Sequence, residues 1–477
     1  MTFKSHRTWA VVLTAVGSLM AALDTLVVAT ALPTIRTDLG VSIEQLEWTV
    51  NSYNLTFAVL LMTGAALGDR YGRRNGYAAG LALFTAASAA CALAPSAGAL
   101  IAARALQGAG AALLMPLGLA LLSAAFPPER RGAAIGIFSA ITGLAVASGP
   151  FIGGAVVEGL AWEWVFWLNV PIGLVALPLV FRRMTESYGS DSALDIRGLL
   201  LVTGGALGIV WGLVRGNPVG WASMEVVGSL ALGLALVAGF VAWELRAPQP
   251  MLPMRFFRSR AFSAGNAAIF CTFACLFSGV FFFSQLLQTA LAYGPLDAGL
   301  RLIPWTATFM TVAPVAGALS DRYGERPFMT GGLLLQAVGM GWIALLAGPG
   351  LTYGELVIPL IVAGVGVSMA IPAAQNSVVG SVSMEAVGKA AGTNSMMREL
   401  GGVFGIAVVV AVFASAGGYG SPEEFTDGFA PAIAVAAGLS LVGAAAGLAL
   451  PGRRRPVQPV PGGIGPAVEA EPVGVRR

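Results

Sequence analysis

The sequence predicts an all-α integral membrane protein, two six-helix bundles with two further helices between them. Three observations predict it. The 477 residues are 56% hydrophobic and only 11% charged, against roughly 45–50% apolar and 25% charged in a soluble domain. The apolar residues fall into fourteen runs, each near the roughly 20 residues that cross a bilayer. A charged heptad is written twice, as "GDRYGRR" at 68–74 and "SDRYGER" at 320–326.

The first run, 9–33, gives about 36 Å of helix from Trp9 to Leu32, enough to span. It carries Asp24, which the apolar stretch of a secretory signal would not, so it reads as an uncleaved span. Runs 47–67, 76–95, 97–125, 133–157 and 164–181 complete a first bundle over 1–190. Runs 194–214 and 222–244 make a linking pair over 191–250. Gly204, Gly208 and Gly212 put a close-packing face on the first of the pair. "MLPMRFFRSR" (251–260) mixes Arg with Met and Phe and reads as interfacial. Runs 261–287, 296–319, 328–347, 355–376, 390–415 and 430–450 make the second bundle over 251–450. The tail 451–477 is rich in Pro, Gly and Val without an apolar period and reads as disordered.

Basic residues orient the chain. Of the 27 Lys and Arg, only Arg36 and Arg215 fall in loops on one side. Arg104, Arg301 and Arg398 fall inside runs, and all the others lie on the side of the N-terminus. The positive-inside rule then places both termini and both heptads in the cytoplasm. The net charge of +3 reflects that topology and gives no reason to invoke a nucleic-acid partner. Arg far outnumbers Lys, and Ala and Gly abound, which reads as a GC-rich bacterial genome and hence a bacterial cytoplasmic membrane. His6 is the only histidine, and Cys91, Cys271 and Cys275 lie in apolar runs, so no metal site is expected.

Each heptad sits in the loop after the second span of its bundle, so the halves form a parallel repeat, the architecture of transporters that rock about a central site. Gly72 and Gly324 permit a tight turn between short-linked helices. Arg70, Arg73, Arg322 and Arg326 suit the negative end of a helix. Asp69 and Asp321 do not. Asp69 needs either an Arg of its own loop or the positive end of another helix, and it is expected to pair across the two halves as a latch that opens.

Arg104 lies about 10 Å from the outer end of its run and Asp24 about 12 Å from the same side. A charge at that depth calls for a partner or a wet cavity, and the depths agree. Arg398 and Glu399 in "NSMMRELGGVFG" (394–405) are either buried or interfacial, according to where the span begins. Asn51, Asn54, Gln107 and Asn394 are the polar candidates for a substrate cavity. In span five, Pro150 removes a backbone donor, and Gly149, Gly153 and Gly154 admit a close neighbour.

On these motifs the chain resembles the major facilitator superfamily, in its fourteen-span drug:proton antiporter branch. "GALSDRYGER" from Gly317 matches the family loop Gly-x-Leu-x-Asp-Arg-x-Gly-x-Arg, and the first copy departs only at Ala65. Leu100, Arg104, Gln107, Gly108, Gly110 and Ala111 meet the span-four pattern, in which the Arg takes part in proton coupling. Asp24, Thr25, Ala31, Leu32 and Pro33 meet the span-one signature, although the usual Asn is replaced by Ala29 or Thr30. Gly-Pro-x-x-Gly-Gly at 149–154 resembles the exporter motif, with Ala145 where the family has Gly. "WEWVFWLNVPIG" (162–173) is close to the branch motif, with Glu163 for Arg. Glu399 stands where the family commonly has Gln.

The resemblance implies the major facilitator fold with 14 transmembrane helices, and a monomeric exporter of amphipathic drugs or antibiotics driven by the proton gradient without cofactors. Asp24 and Arg104 would couple the proton, and Glu399 with Arg398 could add a second site. Its partners would be the substrate, protons and lipid. An exporter of a native metabolite, lipid precursor or amino acid is the alternative. No GxxxxGK[ST] loop occurs. A catalytic His, metal cluster or Ser-Lys pair at depth is also lacking, which argues against an enzyme. A non-transporting sensor would need an output domain that the sequence lacks.

Overall fold

A computed structural model describes residues 3–126, 141, 145, 148–189, 195–248, 250–382 and 386–450, without the side chains of residues 3–6 and of Asp321. Arg130, Arg131 and the tail 451–477 therefore lie outside the described residues. Among those described there is no strand.

The first bundle contains α1 (Phe3–Leu39), α2 (Ile43–Tyr71), α3 (Arg73–Ala92), α4 (Ala97–Ala125), α5 (148–159), α6 (Trp164–Trp167) and α7 (Asn169–Arg183). A hairpin follows, α8 (Ile196–Val219) and α9 (Met224–Glu244). The second bundle holds α10 (Arg260–Gln285), α11 (Pro295–Arg301), α12 (Ile303–Tyr323), α13 (Glu325–Leu346), α14 (Tyr353–Val379), α15 (Val387–Ala416) and α16 (Pro422–Leu448). Twelve described segments are long and apolar enough to cross a membrane, where the sequence counts fourteen runs. The third run is the 20-residue α3, which opens on two arginines and is dominated by small residues. The fifth run, 133–157, falls largely outside the described residues.

Local signals explain where helices begin and break. Ser42, Ser96, Ser223, Ser259 and Ser421 each accept a backbone amide of the following first turn, a cap worth about 1 kcal/mol. Gly72 (φ 108°) and Gly324 (φ 92°) separate α2 from α3 and α12 from α13. Such backbone angles favour glycine, so the two heptads build the same turn.

In the first bundle α1, α2 and α3 pack on α4, and α3 on α7. In the second, α13 lies between α14 and α16, and α10 contacts α14, α15 and α16. The bundles meet where α2 runs along α15 and α1 touches α10 and α11. The α8–α9 hairpin covers that seam, with α8 against both α2 and α15. The glycine face of α8 is spent on α9: a methyl at Gly208 would lie 3.0 Å from the Gly233 Cα, and one at Gly212 2.6 Å from Leu230.

The two ends of the molecule differ. Away from the heptads, the bundles are joined. Gln288 donates to the Thr30 carbonyl at 3.0 Å, the Leu296 amide donates to Glu158 at 2.9 Å, and the Arg36 guanidinium stacks 4.1 Å over the Tyr419 ring. Tyr419 also donates to Gln285. Burial pushes the Tyr419 phenol above its ordinary range, while Arg36 opposes that shift. Of the glycines at 149–154, Gly154 takes part in this closure, while Gly153 and Gly149 pack on α1 of their own bundle. A methyl at Gly154 would sit 2.3 Å from the Pro295 carbonyl oxygen, one at Gly153 2.1 Å from Thr30 Oγ1, and one at Gly149 2.6 Å from Leu26. The Pro150 carbonyl oxygen lies 2.2 Å from where a Gly299 methyl would be.

At the heptad end, Asp69 pairs with Arg73 of its own loop at 2.7 Å. The pairing expected across the two halves is not seen: Arg73, four residues on, takes the carboxylate, and among the described residues Asp69 makes no latch to the second bundle. Glu186 accepts the amides of Arg74 at 2.8 Å and Asn75 at 3.3 Å, which caps α3. The Ser187 carbonyl accepts from the Arg73 amide, and the Gly189 amide donates to the Asp69 carbonyl. Arg70, Arg322 and Arg326 are exposed. Arg70 and Arg322 each lie 5.5 Å from the ring of the adjoining Tyr71 or Tyr323. The Asp321 side chain lies outside the description.

Candidate functional site

Asp24 on α1 and Arg104 on α4 meet in the interior. Their side chains are 0% and 1% exposed, and Arg104 Nη1 donates to Asp24 Oδ2. The equal depths read from the sequence thus become a contact. Further groups complete the shell. Gln107 accepts from Arg104 Nη1 at 2.8 Å and donates to Asp24 Oδ1 at 2.8 Å. Arg104 Nε donates to the Thr49 carbonyl of α2 at 3.1 Å. Asn169, the first residue of α7, donates to Asp24 Oδ1 at 3.4 Å and to Ser88 Oγ of α3 at 3.2 Å. Tyr53 of α2 presents its ring 4.3 Å from the guanidinium carbon. Five long helices thus converge on one ion pair.

Such a pair is stable only because its remaining donors and acceptors are met. Desolvating two ions costs several kcal/mol each, and removing one partner costs about 3–5 kcal/mol. The arrangement can hold one negative charge against one fixed positive charge in a dry site.

Beside it lies a cavity of about 10 Å³, room for roughly one water molecule, lined by Thr25 and Ala29 of α1, Val50 and Asn54 of α2, Phe277, Val280 and Phe281 of α10, and Ile406 of α15. Its walls come from both bundles. Asn54 is 1% exposed, and neither its side-chain nitrogen nor its oxygen has a protein partner. Of the four cavity candidates only Asn54 lines this space. Gln107 belongs to the ion-pair shell, Asn51 donates to Glu47 at 3.1 Å, and Asn394 donates to Asn266 at 3.4 Å.

Glu399 is buried, settling the alternative left open by the sequence. It lies about 18 Å along α15 from Val387, is 4% exposed, and accepts from the adjoining Arg398 Nε at 2.8 Å. Arg301, near a helix end, pairs with Asp297 at 2.9 Å and covers Tyr293. Nothing explains Glu163 in place of the usual Arg.

Sequence reasoning missed Ser88, Tyr53, Thr49 and Asn169 as members of the shell. Asn169 had a signal, since it is the Asn of the quoted 162–173 motif. The others had none.

Comparison with known proteins agrees with this architecture. The model of the Major Facilitator Superfamily matches residues 14–405 and 266–472. The tetracenomycin C resistance and export protein of Streptomyces glaucescens is 35% identical over 431 residues, 90% of this chain and 80% of that relative. The cephamycin export protein CmcT of Amycolatopsis lactamdurans is 34% identical over 434 residues, 90% of this chain and 89% of the relative. Among solved structures, a POT family transporter in complex with 5-aminolevulinic acid superposes with a TM-score of 0.68 at 16% identity, covering 91% of this chain and 94% of that one. At that identity the last likeness speaks for the fold alone. With the family model spanning most of the chain and two relatives above 30% identity, this protein belongs to the Major Facilitator Superfamily of multi-pass membrane transporters.

Proposed function

We propose that this chain is a secondary exporter that expels an amphipathic drug or antibiotic across the bacterial cytoplasmic membrane in exchange for protons. The observation that carries the reading is the buried Asp24–Arg104 pair, one residue along α1 from a cavity walled by both bundles. That cavity marks the seam between Thr25 and Asn54 of the first bundle and Phe277 and Phe281 of the second, which must widen to admit a substrate. The export proteins for tetracenomycin C and cephamycin support both direction and substrate class.

In this reading Asp24 carries the proton and Arg104 sets how readily it is released. Glu399, beside Arg398, is a second proton site. The bundles 1–190 and 251–450 rock against each other, and the heptad loops gate the cytoplasmic end. Both termini are cytoplasmic, so the end closed by Arg36 and Tyr419 faces outward. One charge crossing about 100 mV supplies about 2.3 kcal/mol, so the gradient drives a monomer without a cofactor.

The test is expression in a pump-deficient bacterium against a panel of antibiotics and dyes. Asp24→Asn should abolish proton-driven efflux while the protein still inserts. Uptake instead of efflux in wild-type vesicles, under an inward proton gradient with substrate on the periplasmic side, would overturn the reading.

A further inference from the structure

Asp24, Glu399 and Arg104 do not exhaust the buried charge. Glu47 on α2 is 2% exposed, and no cation pairs with it among the described residues. It is the fifth residue of its helix, past the four amides that a helix end leaves free. Two of those amides, of Ser42 and Gln45, are served by the capping box. Its described side-chain partner is Asn51, which donates to Glu47 Oε1 at 3.1 Å. Asn51 in turn leaves its own oxygen without a partner, and Asn54, one turn further, leaves both polar atoms unpartnered at the cavity wall. Glu47, Asn51 and Asn54 stand at i, i+4 and i+7, so they form one stripe of the helix. It runs from the closed end to the cavity.

The neighbouring charges are otherwise engaged. Glu44 on the same helix pairs with Arg215 of α8 at 3.3 Å, and Arg215 also holds Glu225 of α9 at 2.9 Å. Arg104 of α4 is committed to Asp24, Gln107 and the Thr49 carbonyl. On α1, Asp38 accepts from Trp162 and Arg36 lies over Tyr419. Glu399 of α15 is paired with Arg398. The arginines of α3 are at its far end, in the heptad loop. Among the described residues no positive charge is placed to neutralise Glu47, and an isolated buried carboxylate is expelled from such a site or takes a proton.

We propose that Glu47 is a further proton-binding site, neutral while the end away from the heptads is closed and ionised when that end opens. This rests on the proton-coupled reading above but assigns a separate residue and a separate task. Closing that end over Glu47 requires a proton, so acid on that side favours closure, and the Asn51–Asn54 stripe connects the site to the cavity beside Asp24.

The experiment needs neither substrate nor gradient. Spin labels at Thr37→Cys and Ala416→Cys, both exposed near the closed end, report its opening in liposomes between about pH 5 and 9, a window that spans buried carboxyl titration. Infrared difference spectra over the same range report protonated carboxyl groups. Wild type should lose its closed population as pH rises, together with one carboxyl band. Glu47→Gln should stay closed throughout and lack that band. Asp24→Asn should keep both, and Glu47→Asp should restore the pH response with a shifted midpoint. A Glu47→Gln protein that opens with pH as wild type does, or a carboxyl band unchanged by the substitution, overturns the proposal. A wild-type protein that shows the Glu47 response yet fails to exchange protons for drug would overturn the antiport reading alone.

Discussion

Toward the end away from the heptads, the two bundles are built from opposite materials. The first gathers Asp24, Arg104, Gln107, Asn169 and Ser88 around one ion pair. The second packs Phe281, Phe282, Phe283, Phe413, Phe425 and Phe429, each at most 2% exposed, with ring centroids 5.0–6.5 Å apart. A parallel repeat therefore does not mean parallel chemistry. The first half meets the seam with an ion pair and the second with an apolar wall, while the charge the second half buries, Glu399 beside Arg398, stands apart from these phenylalanines.

Arg104→Ala should break this contrast most severely. It leaves Asp24 buried without a cation, at a cost of about 3–5 kcal/mol, and coupled efflux should vanish. Thermal unfolding in detergent and drug resistance in cells check the two parts. Unchanged stability would mean that the shell compensates for the lost guanidinium. Phe282→Ala should cost about 3 kcal/mol, because Phe281, Phe413 and Phe429 surround the gap. If chemistry resides in the first bundle, the folded fraction of this variant should still release as many protons on adding substrate as the parent. Glu186→Ala should have the smallest effect, about 1 kcal/mol from the lost cap on α3. It should raise amide exchange at Arg74 and Asn75 and leave transport near normal, since the charged centre lies at the other end of α3.

Much of this was legible because it was local or repeated. The heptads announced their own turns through Gly72 and Gly324, and the depth of Asp24 matched that of Arg104 before any contact was known. What was not legible depends on distant parts of the chain. Glu186 reaches the α3 terminus from 112 residues away. Asn169 and Ser88 look like ordinary polar residues until α3 and α7 bring them to Asp24. Glu47 stands at the edge of an apolar run beside Glu44, where a pair of acids reads as a solvated helix start. Its burial is decided by neighbouring helices, which no period along α2 reveals. Asp69, expected to reach across the halves, instead pairs with Arg73 of its own loop; sequence spacing cannot rank a local partner against a distant helix.

The placement of the α8–α9 hairpin has a mechanical consequence. At one end it is fastened to both halves, through Arg215 to Glu44 of α2 and through Asn217 to the Ala411 carbonyl of α15. The hairpin is thus a spine, and the two halves are covers bound to it. The seam is therefore shut to lipid tails on the spine side, and among the described residues the opposite fore-edge carries no such binding.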